Sequence, residues 1–600
     1  MPAPFVLLDD ARPDGASDAR LYRGPREVVI ARHAAEVQAA LDRLAVLHAA
    51  GHQLAGYFAY EAGLALEPRL MPLAGARTGA NGPLVWYGAF DDYETIPAAG
   101  IPDWLAAEAG AQPPSIGPLT PQLSTGGYVR AFECLQEAIA AGDIYQANLT
   151  LPLAGAWRGD PLALYAAIRP AAGAGYGGIV FDGSHWLLSF SPELFFAARG
   201  DAAMVKPMKG TRPRGRNVAE DTAFAAELAS STKDRAENLM IVDLLRNDLS
   251  RVAEPGSVRV EQPFAVESYP TVHQMVTTVR ARLKPGHGAT DLVRALFPCG
   301  SITGAPKIRA MELIGEVERD ARGPYCGAIG RIDAPAPDGT GDAAFNVAIR
   351  TLRLTPGENG RGKAVLGVGS AIVADSAALP EWRESLLKGG FVRQTAAGFD
   401  LIETMAFTPD GGIALLELHL ERLKASASEL GFAFDRHALR NAIQALCFEA
   451  VNAAKVRLMV ARSGAYTLEI SSLPAALPDP APCAILSLPV DPGDWRLRHK
   501  TSDRDFYDAG LSAAHGAGAV EALFLRDDGL LTEGCFTSLF VERGGMLLTP
   551  HATLGLLPGV LRRSLLDAGQ AREAELRIDD LAGGFLIGNA LRGLIPARLL

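Results

Sequence analysis

Several residues in this chain have the types and spacing to do chemistry. Asp234 and Glu237 lie three apart in DRAENLMIVDLLRNDL, and Glu381 and Glu384 lie three apart in EWRESLLKGGFV, so each pair projects from one face of an expected helix. Two such pairs facing each other would offer the hard oxygen ligands that Mg²⁺ takes. A lone acidic pair on a helix is as a rule only solvated surface. Glu237, however, opens a run in which six of the next eight residues are apolar, so this helix is expected to be largely buried and its acid to need a partner or a metal. Lys209, in AMVKPMKGTRPRG, ends an apolar run. It is either a snorkelling surface residue or an amine whose pKa is lowered enough to make it a nucleophile. GVGSAIVADS (367–376) and SITGAPK (301–307) offer small residues whose backbone N–H groups can approach an anion, with Ser301 and Lys307 in the second. A bare GxG is also an ordinary tight turn. Alone, Lys500 in RLRHKTSDRDFYDAG reads as a solvated lysine and Glu533 in LLTEGCFTSLF as a strand-edge residue.

These residues need elements to hold them. Val37, Leu41, Leu44 and Leu47 form one helical stripe that ends at Gly51, and LAGYFAY (54–60) follows as a strand. The Gly/Pro-rich stretch 109–127 reads as a long surface connection. YVRAFECLQEAIAAG then reads as a helix, and DIYQANLTL, GGIVFDG, HWLLSFSPELFFAA and AMVKPMK read as strands. The segments 234–249 and 381–392 are the helices that carry the acidic pairs. A new alternation starts with LIETMAF, which sets the main boundary near residue 396, giving parts 1–396 and 397–600. Within the second part, 473–483 holds four prolines in eleven residues, which excludes helix interior and central strand and marks a joint between two lobes.

Composition limits the function. A chain of 600 residues exceeds one hydrophobic core, and 48% hydrophobic with 63 Gly and 40 Pro describes a folded, loop-rich α/β protein. The net charge of −11 argues against nucleic acid as a partner, since a basic stripe is absent beyond the short Arg cluster at 212–216. No run suits a signal peptide or a membrane span, so a cytoplasmic protein is expected. The six cysteines have no paired spacing and are expected to be buried free thiols.

Eight segments, SPELFF, PMKGTRPRG, DRAENLMIVDLLRNDLSRV, FPCGSITGAPKIRAME, CGAIG, AIRT, GSAIVADS and EWRES, occur in order over residues 125–394. The first part thereby resembles the chorismate-utilising enzymes, which include anthranilate, isochorismate, salicylate and aminodeoxychorismate synthases. The resemblance implies large antiparallel sheets flanked by helices, with Mg²⁺ holding the ring carboxylate of chorismate. Glu237 and Glu384 match the metal-binding glutamates, with Glu381 and Asp234 beside them; Asp234 has a shorter arm than the Glu of several relatives. Glu193 matches the general acid/base and His273 the active-site histidine. Tyr325, Arg350 and the backbone at Gly369 match the groups that hold the pyruvyl carboxylate. Gln146 stands where the water-adding branches carry a lysine base, and Lys209 stands where anthranilate synthases usually have Ala. A lysine there resembles the aminodeoxychorismate synthases. The mechanism this implies has the Lys209 amine attack C2 while the C4 hydroxyl leaves with a proton from Glu193, after which ammonia enters at C4 and expels the lysine. No cysteine sits on a glutaminase elbow, so a separate glutamine amidotransferase subunit is the expected source of ammonia.

The second part, with HLERL, GLLPGVLRRSLL and FLIGNALRG beside Lys500 and Glu533, is similar to the two-lobed fold-type IV pyridoxal-phosphate enzymes. That similarity implies that Lys500 bonds the cofactor and moves a proton, that Glu533 pairs with the ring nitrogen, and that Arg422, the backbone at Val560 and Leu561, and Asn589 hold the phosphate. It also implies a domain that pairs with a second copy. Leu561 replaces a common Thr and Ser538 a common Asn, which implies weaker cofactor binding. Joined to the first part, the expected activity is aminodeoxychorismate lyase, yielding 4-aminobenzoate for folate synthesis. The rivals are an anthranilate synthase fused to an aminotransferase-like domain, and a chain with one half inactive.

Overall fold

The computed structural model describes all residues except 1–2, 75–81, 111–113, 118, 216–217, 270–271, 337–340, 358–360, 393–398, 449 and 463. The chain divides into two compact units, Met1–Ala397 and Gly398–Leu600. The boundary expected near 396 lies outside the described residues, as does Arg216 of the Arg cluster.

In the first unit an eleven-stranded and a ten-stranded sheet, antiparallel in every pairing, face each other. Val6, Tyr22, Val180 and Leu187 from one sheet pack with Ala55, Tyr57, Trp86 and Ile329 from the other in a buried cluster between them. The outer face of each sheet is covered by helices, so the unit is layered helix, sheet, sheet, helix. The run HWLLSFSPELFFAA, expected as one strand, is two strands. Trp186–Ser189 belongs to the first sheet and Leu194–Arg199 to the second, and the crossing between them carries Glu193. The stretch 109–127 is not simply a surface connection. Ser115–Ile116 and Thr120–Pro121 pair with the long Gln146–Arg158 strand, and Ile116 and Leu119 are buried because they cover its apolar side chains.

The two helices bearing the acidic pairs form as expected, at Thr232–Ser250 and Ala378–Lys388. Ser231 caps the first by accepting from the Asp234 N–H at 3.2 Å. This helix is one-sided rather than largely buried. Asn238, Ile241, Val242, Leu245, Asp248 and Leu249 form the inner stripe, while Leu239 is exposed. An apolar count does not report the 3.6-residue period, and Glu237 falls at the stripe's edge.

In the second unit a four-stranded antiparallel sheet is followed by a mixed eight-stranded sheet. The proline-rich stretch joins them, but its end is a central strand, Ala481–Ser487. Pro482 is tolerated because it lies at the strand's entry, before pairing with Glu521–Leu525 begins at Cys483. All six cysteines are free; Cys134 is exposed and Cys447 half-buried, against the expectation of buried thiols, since both fall on the outer sides of their helices. Among the described residues no helix is long and apolar enough to cross a membrane.

The helix carrying Glu237 depends on its stripe, so Leu245→Ala should remove about 2–5 kcal/mol from the first unit. Urea unfolding followed through tryptophan fluorescence measures this loss.

Candidate functional site

The first site forms where several segments of the first unit meet. Lys209 lies in the Met208–Pro213 strand, and Gly210 follows it at φ +84°, a conformation a side chain resists. A Cβ there would meet Asp234 at 2.9 Å, so glycine is required both by the turn and by the helix beside it. Burial holds the Lys209 amine below the ordinary lysine range and Lys388 adds to this, against the opposing field of Glu237, Glu193 and Glu384. Glu193 is buried and accepts from the Ser301 hydroxyl at 2.7 Å. Burial pushes its carboxyl up to about 7, with Ser301 and Lys209 opposing. The structure therefore puts an amine depressed by burial and a carboxyl raised by burial in each other's field, the tuning that proton transfer near neutral pH requires.

Gly367 and Gly369 lie inside the Arg361–Ile372 strand, not in the turn expected for GxG. A Cβ at Gly367 would fall 2.1 Å from the Tyr325 ring, and one at Gly369 would meet the Leu149 carbonyl at 2.6 Å. Close approach is thus the reason for both glycines, and Tyr325 lies over this strand. Arg350 adopts φ +48°, a strained position of order 1–3 kcal/mol, and burial depresses its guanidinium. Its carbonyl accepts from Phe190 N at 3.0 Å, which ties it to the crossing that carries Glu193. Lys388, which the sequence reasoning missed, donates to the Gly369 carbonyl at 3.0 Å and pairs with Glu384 at 2.7 Å. Its position four residues after Glu384 on one helix face was the available signal.

The four acidic residues do not converge as one cage. Asp234 pairs with Arg212 at 3.0 Å and Glu384 with Lys388, and among the described residues no group of three or more His, Cys, Asp or Glu side chains is gathered to hold an ion. Two donors remain suited to a cation. Glu381 accepts from Ser376 on Oε1 while its buried Oε2 has no hydrogen-bond partner, and burial raises the half-buried Glu237. Both carboxylates act on the Lys233 ammonium, which places them in one neighbourhood.

Two expected site residues are engaged elsewhere. His273 is buried between Ser268, 2.8 Å from Nδ1, and Asp221, 2.9 Å from Nε2. Lys307 begins a helix, pairs with Asp248 and donates to the Leu296 carbonyl at 2.8 Å, so its charge fastens two helices rather than an anion. In the Arg cluster, Arg212 and Arg214 pair with Glu227, Asp234 and Asp221.

The second unit holds its own site. Lys500 is largely removed from water, and burial with Arg422 nearby pushes its amine down to about 7 against the pull of Glu403. Glu533 is buried in the Leu531–Gly534 strand, where its Oε1 accepts from Tyr507 Oη at 2.5 Å and Leu557 N at 2.9 Å. Burial pushes it up to about 8. Tyr507, on the Asp505–Gly516 helix, was not singled out from sequence. Arg422 forks onto Glu403 at 2.9 and 2.6 Å, reaches the Pro558 carbonyl at 3.2 Å, and with Ser426, His499 and Val560 lines a cavity of about 250 Å³. The Val560–Asp567 helix starts beside it after Gly559, where a Cβ would meet Ser538 Oγ at 2.6 Å. Lys500 does not line this cavity, but Arg422, which does, also acts on its amine, and a cationic fork beside a helix start and a depressed amine is a donor set that suits a phosphorylated aldehyde cofactor. Asn589 does not contribute its side chain: Nδ2 donates to the Phe536 carbonyl and Oδ1 accepts from Leu591 and Arg592, closing a hairpin.

The family profile described as chorismate binding enzyme matches residues 4–394, and that of amino-transferase class IV matches residues 400–600. Aminodeoxychorismate synthase component 1 of Klebsiella aerogenes is 42% identical over 266 residues, 44% of this chain and 57% of that protein. Anthranilate synthase component 1 of Streptomyces coelicolor is 40% identical over 270 residues, 45% of this chain and 51% of that protein. The chain spans about half the length of these curated relatives. Among solved structures, anthranilate synthase component I from Streptococcus pneumoniae TIGR4 superposes with a TM-score of 0.52 at 25% identity, covering 66% of this chain and 93% of that one. With its first family profile matched across residues 4–394 and the second across 400–600, the chain belongs to the chorismate binding enzymes and continues into a class IV aminotransferase-like domain.

Proposed function

We propose that this chain, acting in the cytoplasm, makes 4-aminobenzoate from chorismate: the first unit aminates C4 and the second eliminates pyruvate from the product. The observation that carries this reading is the Lys209 amine, depressed by burial, in the field of a Glu193 carboxyl raised to about 7. The neutral Lys209 Nζ attacks C2 of chorismate as the C4 hydroxyl departs as water with the Glu193 proton. Ammonia then bonds C4 and the C2–nitrogen bond breaks, returning the lysine. The relative from Klebsiella aerogenes is named component 1, which supports a partner component, a glutamine amidotransferase, as the ammonia source. A divalent ion such as Mg²⁺ would take Glu237 and Glu381, with Glu384 joining on release from Lys388, and would supply positive charge for a substrate carboxylate. Arg350 and Tyr325 hold the second carboxylate.

For the second unit, pyridoxal phosphate would supply an electron sink for the carbanion formed at C4. Arg422 and the N–H groups of Val560 and Leu561 would hold its phosphate, with Ser538, which faces Gly559, at the position of the commoner Asn. Glu533, held through Oε1 by Tyr507 and Leu557 N, would pair with the ring nitrogen. Lys500 Nζ takes the C4 proton. The name of the Streptomyces coelicolor relative favours a second reading, anthranilate synthesis, which differs in product.

Incubating the full chain with chorismate, Mg²⁺ and ammonium should give 4-aminobenzoate and pyruvate by chromatography. Lys209→Ala should abolish amination yet leave pyruvate release from supplied aminodeoxychorismate intact; anthranilate as the product, or loss of both activities together, refutes the reading. Chelating divalent ions should stop amination and spare pyruvate release, measured in the same two assays. With Lys500 at about 7, its neutral fraction falls tenfold per pH unit below 7. The visible absorbance band formed on adding pyridoxal phosphate should therefore appear faster up to pH 7 and then level off. Lys500→Ala should show no band, and a rate that keeps rising toward pH about 10 marks an ordinary lysine.

A further inference from the structure

Beneath the first site lies a buried ion pair that the mechanism does not use. The side chains of Arg322 and Glu318 are 1% and 3% exposed. Arg322 donates through Nε to Glu318 Oε2 at 2.9 Å and through Nη2 to Oε1 at 2.7 Å. A buried pair is weak as a source of stability, because the desolvation cost of both charges offsets much of their attraction. Its remaining hydrogen bonds therefore carry the information. Nη1 donates to the Ile302 carbonyl at 2.9 Å, Nη2 donates to the Asn148 carbonyl at 2.8 Å, and Glu318 Oε1 accepts from Thr150 N at 2.8 Å. The Arg322 and Gly323 N–H groups in turn donate to the two oxygens of Glu61, at 2.7 and 3.0 Å.

Each of these backbone points adjoins a residue of the site. Ile302 follows Ser301, whose hydroxyl donates to Glu193. Thr150 is the register partner of Gly369. Arg322 and Gly323 lead directly into Tyr325, whose ring lies over Gly367. We propose that Arg322 is a positioning residue for amination: its guanidinium, held flat by Glu318, fixes the Ser301 donor to Glu193 and the Tyr325 loop in one register. The planar fork is needed because a single nitrogen cannot serve Glu318, Ile302 and Asn148 in these directions at once.

This inference rests on the amination reading. Its test compares the full-length wild type with Arg322→Lys, which keeps the charge and loses the fork, and with Arg322→Met combined with Glu318→Gln, which leaves no charge buried alone. Both variants should release pyruvate from supplied aminodeoxychorismate at the wild-type rate. Both should lose about a hundredfold in kcat for amination, the scale of an ångström-sized misplacement. The alkaline limb of the amination pH profile should move to higher pH, and Ser301→Ala should move it the same way, because the donor that holds Glu193 down is no longer aimed. If wild type aminates and either folded variant, judged by circular dichroism, only melts earlier while kcat and the limb stay at wild-type values, the positioning role is overturned. If wild type itself yields no aminated product, the functional reading falls, and this inference with it.

Discussion

Water exclusion around Lys209 is the constraint on which the first unit depends. An ammonium taken out of water must be compensated or lose its proton, and the structure does both in part. Glu237, Glu193 and Glu384 oppose the burial that depresses the amine, while Lys388 reinforces it. This requires acidic side chains from the Leu194 strand's entry and from two separate helices to approach a strand of the second sheet. The two-sheet arrangement supplies that approach. Glu193 sits where the chain passes from one sheet to the other, and the glycines at 367 and 369 thin the facing strand so that Tyr325 and Thr150 can close in.

The second unit meets the same constraint with different partners. Lys500 is depressed by burial and by the nearby Arg422, whose own charge is held by Glu403. Glu533 is raised by burial although a tyrosine hydroxyl and a backbone N–H stabilise its charge. Each unit thus pairs an amine lowered by burial with a carboxyl raised by it, but their roles diverge. Glu193 lies in the field of the lysine it serves, whereas Glu533 is bonded to Tyr507 and Leu557.

Local patterns in the sequence carried the elements and the residues embedded in dense motifs. The helices bearing Glu237 and Glu384 were legible as helices although the period of the first was not, and Lys209 stood out by its place at the end of an apolar run before glycine. What the sequence hid was settled by distant partners. Lys307 looked like an anion ligand until Asp248, some sixty residues upstream, met it. His273 is drawn to Asp221, and Asn589 donates to the carbonyl of Phe536. Pro482 enters a central strand because the neighbouring strand begins to pair only one residue later.

The same distinction explains why the ion pair of Arg322 and Glu318 left no local signal. In the sequence its spacing of four is indistinguishable from that of an exposed pair on a helix, worth a few tenths of a kcal/mol, whereas both residues lie past the end of the Lys307–Val317 helix. Only the fold reveals that both side chains are enclosed and that their free hydrogen-bonding capacity is aimed at the backbone of Asn148, Thr150 and Ile302. A surface pair can be replaced by any soluble residues. An enclosed pair that bonds three carbonyl or amide groups in fixed directions restricts the relative placement of the segments that own them, and here those segments carry Ser301, the partner of Gly369, and Tyr325. Burial therefore converts an ordinary sequence spacing into a geometric requirement on the site.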